Sequence, residues 1–324
     1  MVDLKFPRPK RIAFHANTLN YRGTTVAITD YAKYNEELLG NESIIFYNKS
    51  LGYEKDVGTD VEVLENLSKR FNVVGYEDGD LARELGKNRA EFAYYIRAGN
   101  FEPVVENVPT AVHAVFQFYE PHGTKYAYVS DWLSKKMTNG RTPFVPHIVD
   151  LPAPDRDYRE VLGIRKDQTV LGRYGGYYTF DLPFVKHAIY RLLDFNLDYV
   201  FLFMGTEPFI KHPNVIFLNE THNLQKKSNF INTCDAMLHA RARGESFGLS
   251  IAEFLSQGKP VLAWEGGVDQ NHLELLKNSN LLYNENNITD RIINIKALND
   301  QDWRFRVRDF TPYNVMKKFK KVFL

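Results

Sequence analysis

The chain has 324 residues, 44% of them hydrophobic and 25% charged, the balance of an ordinary globular protein with room for about two domains. A net charge of +1 and a pI of about 7.8 exclude a bulk field for nucleic acid or an anionic membrane. The single cysteine, Cys234, excludes an internal disulfide framework and points to a reducing compartment, so a cytoplasmic protein is expected; its plain reading is a small buried hydrophobe.

Residues 1–11 are charged and proline-bearing, without the apolar core of a secretory signal, and no stretch reaches the ~18 apolar residues of a membrane span. Residues 11–16 read as a short apolar strand, followed by a loop carrying Gly23-Thr24. In residues 26–39, Val26, Ile28, Tyr31, Ala32 and Leu38 fall at helical spacing. Residues 43–47, 71–75, 92–96 and 110–116 continue as strands. Such alternation implies an α/β fold, a parallel sheet with helices on both faces, and ligands beyond the carboxyl ends of the strands. Pro143, Pro146, Pro152 and Pro154 fix φ and lack a donor, which predicts an extended connection between domains. A second series follows, with a strand running into a loop over 169–176, strands at 199–205 and 214–218 and a helix at 183–193. The last segment, 312–324, has Val315, Met316, Phe319, Val322 and Phe323 on one helical face.

The densest signal lies between these last two regions. An apolar run, 236–240, leads into Gly244-Glu245-Ser246-Phe247-Gly248-Leu249-Ser250-Ile251-Ala252-Glu253, then the turn Gly258-Lys259-Pro260 and a further apolar run. This reads as strand, glycine-bearing turn, helix, turn, strand. The amides from Gly248 to Ser250 open the helix, where unpaired N–H groups and the positive end of the macrodipole attract phosphate. Glu245 on the turn and Glu253 along the helix are placed to hold hydroxyls at the two ends of a nucleotide-sugar diphosphate. The plain alternative is a surface helix with two solvated glutamates.

The run 235–267 resembles the paired-glutamate signature, two glutamates with seven residues between, of retaining glycosyltransferases of the GT4 type. Glu245 and Glu253 fall on its positions; Phe247-Gly248, the Gly-Lys-Pro turn and Gly266-Gly267 complete it. The resemblance implies the GT-B architecture, two Rossmann-like domains facing a central cleft. It assigns residues 1–150 to an acceptor-side domain and 151–302 to a nucleotide-sugar donor domain, with a helix in 303–324 packing back on the first domain. Glu245 is expected to bind hydroxyls of the donor sugar and Glu253 those of the ribose. Ser246, Phe247, Gly248, Leu249 and Ser250 are expected along the donor. Arg173, in Leu171-Gly172-Arg173, is expected at the pyrophosphate, a task for which a permanently charged planar fork is suited. Gly23 is expected near the phosphates and acceptor, and His113 at the donor sugar. Plain readings stand beside these: a turn glycine for Gly23, a core histidine for His113, a loop arginine for Arg173.

The family's lysine, five or six residues after the arginine, is missing; Tyr178 and Thr179 stand there. A diphosphate leaving group calls for a second cation or a metal. Arg243 is the first candidate, with Arg241 and Arg22 behind it. His187, His212 and His239 are scattered without metal-ligand spacing, so no metal site is expected. The expected activity is metal-independent transfer of a sugar, with retention, from a nucleotide-diphosphate donor to a glycan or small-molecule hydroxyl. The nucleotide sugar is then a co-substrate and no cofactor is called for. Two alternatives stay open: a DNA-modifying glycosyltransferase, against which the near-neutral charge weighs, and a silent sugar-nucleotide binding module.

Overall fold

The computed structural model describes residues 8–53, 58–195, 198–298 and 302–324; the reading of residues 1–7 lies outside them. Two compact units form, one of Met1–Ile148 with Pro312–Leu324 and one of Val149–Thr311.

The first unit runs β1 (Arg11–Ala16), α1 (Gly23–Glu37), β2 (Glu42–Asn48), α2 (Val61–Ser68), β3 (Asn72–Tyr76), α3 (Leu81–Lys87), β4 (Phe92–Arg97), β5 (Thr110–Ala114), β6 (Lys125–Tyr128) and α4 (Asp131–Thr138). Its six strands are parallel in the order β3-β2-β1-β4-β5-β6. The second unit runs β7 (Thr169–Tyr174), α5 (Pro183–Phe195), β8 (Tyr199–Met204), β9 (Val215–Leu218), α6 (Leu224–Thr233), β10 (Ala236–His239), β11 (Gly244–Glu245), α7 (Leu249–Ser256), β12 (Val261–Trp264), β13 (Asp269–Gln270), α8 (Asn271–Leu275), β14 (Leu282–Tyr283) and α9 (Ile288–Ile293). Its main sheet has the order β14-β12-β10-β7-β8-β9, again parallel. Counted from its own first strand, each sheet reads 3-2-1-4-5-6, the doubly wound nucleotide-binding order. The order reverses between β1 and β4, and between β7 and β10. There the chain leaves neighbouring strands toward opposite faces, and a crevice opens beyond their carboxyl ends.

The helix α10 (Pro312–Phe323) belongs to the first unit. Its apolar face, Val315, Met316, Phe319 and Phe323, is buried, while Lys317, Lys320 and Lys321 stay in water. Phe319 packs on Tyr31 of α1 and Tyr94 of β4, with ring centroids 5.1 and 5.2 Å apart. In the second unit, Gly172 sits where any Cβ would collide with the Sγ of Cys234, so glycine lets α6 close on β7. Cys234 is buried and its thiol donates to the carbonyl of Phe230.

His113 lies in the interior of the first unit, where the plain reading of a core histidine places it. It is fully buried. Its Nδ1 lies 2.6 Å from the Tyr94 hydroxyl and its Nε2 3.3 Å from the Tyr128 carbonyl, so both ring nitrogens have partners within the unit. Burial pushes its pKa down to about 4, and that of neighbouring His147 well below the usual value. Unfolded, both histidines would take up protons near pH 6.5. Between pH 6.5 and 4 the unfolded chain therefore binds more protons, and stability must fall as pH falls. The contribution is full above pH 6.5, and for His113 it is lost on passing below about 4. That gap corresponds to about 3 kcal/mol for His113, at ~1.4 kcal/mol per pH unit. Urea midpoints should drop steadily from pH 7 to 4.5; a flat profile would show that these histidines are solvated.

Candidate active site

The site is built where β7 and β10 end, at the switch point of the second sheet. Past β10 the chain turns through residues 240–243 and pairs β11 with β13, Gly244 opposite Asp269 and Glu245 opposite Gln270. The crossing is tight. Gly244 has φ +77 and any Cβ would collide with the Asp269 carbonyl; Gly267 has φ +107 and its Cβ would lie 2.8 Å from the Arg243 carbonyl. Glycine at both positions is a steric requirement, and it fixes the backbone that carries Glu245.

The Glu245 carboxylate is held from two sides. Its Oε1 is 3.0 Å from Nε2 of His239, the last residue of β10, and its Oε2 accepts from Arg241 Nη1 at 3.0 Å. Burial alone would raise its pKa, but the His239 hydrogen bond and the charge of Arg241 outweigh burial and bring it down to about 2. Glu245 is therefore an anion across the ordinary pH range. Its amide donates to His272 Nδ1 at 3.3 Å, and His272 Nε2 lies 3.0 Å from the Trp264 carbonyl. This pattern requires the neutral tautomer protonated at Nε2, in keeping with a pKa pushed by burial to about 4.

Arg173, next to last in β7, is 3% exposed. It donates to the carbonyl of Gly176 at 2.9 Å and to the hydroxyls of Thr179 and Thr206 at 2.6 and 2.5 Å. Burial lowers its pKa to about 10, which leaves it cationic at neutral pH; Glu245, Arg241 and Asp181 are the charges around it. Thr179, standing where the family lysine was expected, thus orients the arginine, whereas Tyr178 is exposed. Asp181 joins the loops after β7 and β10: its amide donates to the Ala240 carbonyl at 3.0 Å and its carboxylate accepts from the Ala242 amide at 2.6 Å.

Helix α7 starts at Gly248, whose φ of +87 favours glycine, with no side-chain cap and no acidic residue in the first turn. The amides of Leu249 and Ser250 therefore open toward an anion. Ser246, Leu249 and Ser250 are half-buried, while Phe247 is buried against Phe310, ring centroids 5.1 Å apart.

Glu253 is a core group, 4% exposed. Its Oε1 accepts from Lys227 at 3.1 Å and its Oε2 accepts from the Tyr174 hydroxyl. Arg243 pairs with buried Asp269, Nε to Oδ2 at 2.6 Å. The fold thus gathers Glu245, Arg173 and Arg241 at one point, holds Glu253 in an interior pair behind it, and places Arg243 on Asp269. Gly23 and Arg22 lie in the first unit at the start of α1, where a Cβ on Gly23 would meet no atom within 4 Å.

His239, His272 and Lys227 are the residues that sequence reasoning missed. His239 had a signal, since it ends an apolar strand six residues before Glu245. His272 and Lys227 reach the site only through the fold. Among the described residues no group of three or more His, Cys, Asp or Glu is placed to hold a metal ion, and no helix is long and apolar enough to cross a membrane.

No protein-family model matches the chain, and no curated protein matches it. Solved structures do. The Anabaena protein HepE, in complex with UDP-glucose, superposes with a TM-score of 0.70 at 14% identity, covering 96% of this chain and 98% of its own. A glycosyltransferase from Rickettsia africae gives 0.66 at 12% identity, covering 96% and 94%. The sucrose-phosphate synthase of Thermosynechococcus elongatus gives 0.66 at 13%, covering 96% and 98%. At such identities the likeness is one of fold: the chain has two Rossmann-like units of the GT-B fold class.

Proposed function

We propose that the protein is a glycosyltransferase whose second unit binds a nucleotide-diphosphate sugar. The observation that carries this reading is the Glu245 cluster: an ionised carboxylate held by His239 and Arg241, beside buried Arg173 and the open start of α7, at the switch point of a GT-B sheet. In the reaction the bond between the sugar's anomeric carbon and the terminal phosphate oxygen breaks, and its electron pair leaves with the diphosphate. Arg173, a second arginine and the α7 amides are fixed where that charge develops. We assign the second cation to Arg241 ahead of Arg243, because Arg241 acts on Arg173 and Glu245 while Arg243 is paired with Asp269. Glu245 accepts hydrogen bonds from the sugar hydroxyls. Glu253, whose two oxygens are engaged by Lys227 and Tyr174, is read as a positioning residue for β7 rather than a ribose ligand. The first unit takes a glycan or small-molecule hydroxyl. Retention follows the family resemblance, with the leaving phosphate accepting the acceptor's proton.

UDP-glucose is the donor to test first, because HepE binds it. Release of UDP from UDP-, or of the corresponding nucleotide from GDP- or ADP-glucose, supports transfer chemistry. Nucleotide binding with no release from any of the three would make the protein a silent binding module. Turnover should also survive EDTA within about twofold, since arginines and helix amides supply the charge that a metal would. Loss of activity restored by Mn²⁺ or Mg²⁺ would contradict this.

A further inference from the structure

The first unit has its own crevice at its own switch point. A cavity of about 230 Å³ lies beyond the carboxyl ends of β1 and β4, lined by Asn17, Thr24, Ile28, Arg97, Glu102 and Phe116 among others. Arg97 ends β4 and is 8% exposed. Its Nη1 donates to Asn17 Oδ1 at 2.8 Å. Its Nε is buried and makes no hydrogen bond. The Glu102 Oε2 lies 3.1 Å from that Nε but off the N–H direction, so the contact is an ion pair without a hydrogen bond. A buried guanidinium with an unmatched N–H is costly to leave so, and an anionic oxygen satisfies it better than a neutral one.

A second feature points the same way. Helix α1, 15 residues long, begins at the same cavity, with Thr24 in its first turn. It has no side-chain cap and no acidic residue in that turn, and its N-cap residue is Arg22. The positive end of the helix and Arg97 together exceed the single charge of Glu102. Glu102 sits on the loop after β4 with its side chain 31% exposed, so it is the solvent-facing partner of the buried guanidinium.

We propose that this cavity binds an anionic group of the acceptor, a carboxylate or a phosphate, with Arg97 and the first amides of α1 as its partners. The word acceptor rests on the function proposed above; the anion preference rests on the cavity alone. Sugar acids and phosphorylated polyols are the acceptor classes that fit, and unmodified sugars are not.

Affinities of D-glucuronate, glycerol 3-phosphate and D-glucose for the full chain, read by ligand-observed NMR, test this. At least one anion should bind tenfold or more tighter than glucose, and the two anions decide between carboxylate and phosphate. Glu102→Gln should tighten the preferred anion threefold or more, because a competing carboxylate is gone. Thr24→Glu, at an exposed position where an acid favours the helix, should weaken it fivefold or more without harming the fold. Glucose binding as well as both anions, or anion binding indifferent to Thr24→Glu, would overturn the inference. UDP titrated into the same samples separates the two proposals. UDP binding without anion preference removes this inference alone, whereas anion preference without nucleotide binding removes the donor reading and leaves the cavity.

Discussion

Glu245→Gln should lower kcat by a hundred- to a thousandfold while leaving the donor KM within a fewfold of wild type. The substitution keeps the shape and removes the charge. In the proposed reaction this carboxylate, with a pKa held near 2, holds the hydroxyls of the reacting sugar, and fixed groups of this kind are worth ~2.7–4 kcal/mol in the transition state. A loss confined to kcat and kcat/KM marks an interaction made in the transition state. The two neighbouring arginines provide an internal comparison. Arg241→Ala should slow turnover by at least tenfold, about 1.4 kcal/mol of barrier, and Arg243→Ala by clearly less. Equal effects, or the reverse order, would return the second positive charge to Arg243. Wild-type kcat in Glu245→Gln would place the reacting sugar elsewhere.

The largest effect on stability is expected at Glu253. Replacing it with alanine leaves the ammonium of Lys227, 8% exposed, without its counter-charge, and the Tyr174 hydroxyl without its acceptor. Breaking a buried pair from one side costs ~3–5 kcal/mol, a large share of the ~5–15 kcal/mol that holds a domain together. The melting temperature of the full chain should drop by about 10 °C, and Glu253→Gln, which keeps the volume and an acceptor for Tyr174, should lose less. A Glu253→Ala protein as stable as wild type with weakened nucleotide binding would make the carboxylate a ribose ligand, as the family resemblance implied.

The parts of this molecule legible in its sequence are those made by local patterns. The apolar runs of β1, β2, β7, β8 and β10 stand out because a parallel sheet covered on both faces demands uninterrupted hydrophobic residues. The strand-turn-helix-turn-strand of residues 236–263 was readable because each of its steps carries a glycine, a proline or a periodic run. Short elements escaped. Helix α3 has seven residues, and edge strand β6 has four, beginning with an exposed lysine. Helix α1 begins at Gly23, three residues before its apolar spacing does, because nothing in Gly23-Thr24-Thr25 marks a start and the N-cap side chain makes no capping bond.

Side-chain partners were harder still. His113 sits one residue before β5 ends, and in a sheet covered on both faces its ring packs into the interior, where Tyr94 and the Tyr128 carbonyl meet its two nitrogens. On paper Arg243 ranks ahead of Arg241, because it stands two residues from Glu245 in the same loop. What separates them is the pairing of β11 with β13, which couples residues about 25 apart and turns Arg243 onto Asp269. Glu253 looks like a ligand at its spacing, yet Lys227, 26 residues earlier on α6, reaches it inside the core. Long-range pairs of this kind leave no local pattern to read.

A crystal structure of the chain grown with UDP tests the central claim most directly. The account predicts the nucleotide on the second unit, its diphosphate within hydrogen-bonding distance of Arg173, Arg241 and the amides of Leu249 and Ser250, and Glu245 facing the terminal phosphate where a sugar would stand. A diphosphate bound away from Arg173 and the start of α7, or a site that stays empty at saturating UDP, GDP and ADP alike, would contradict it.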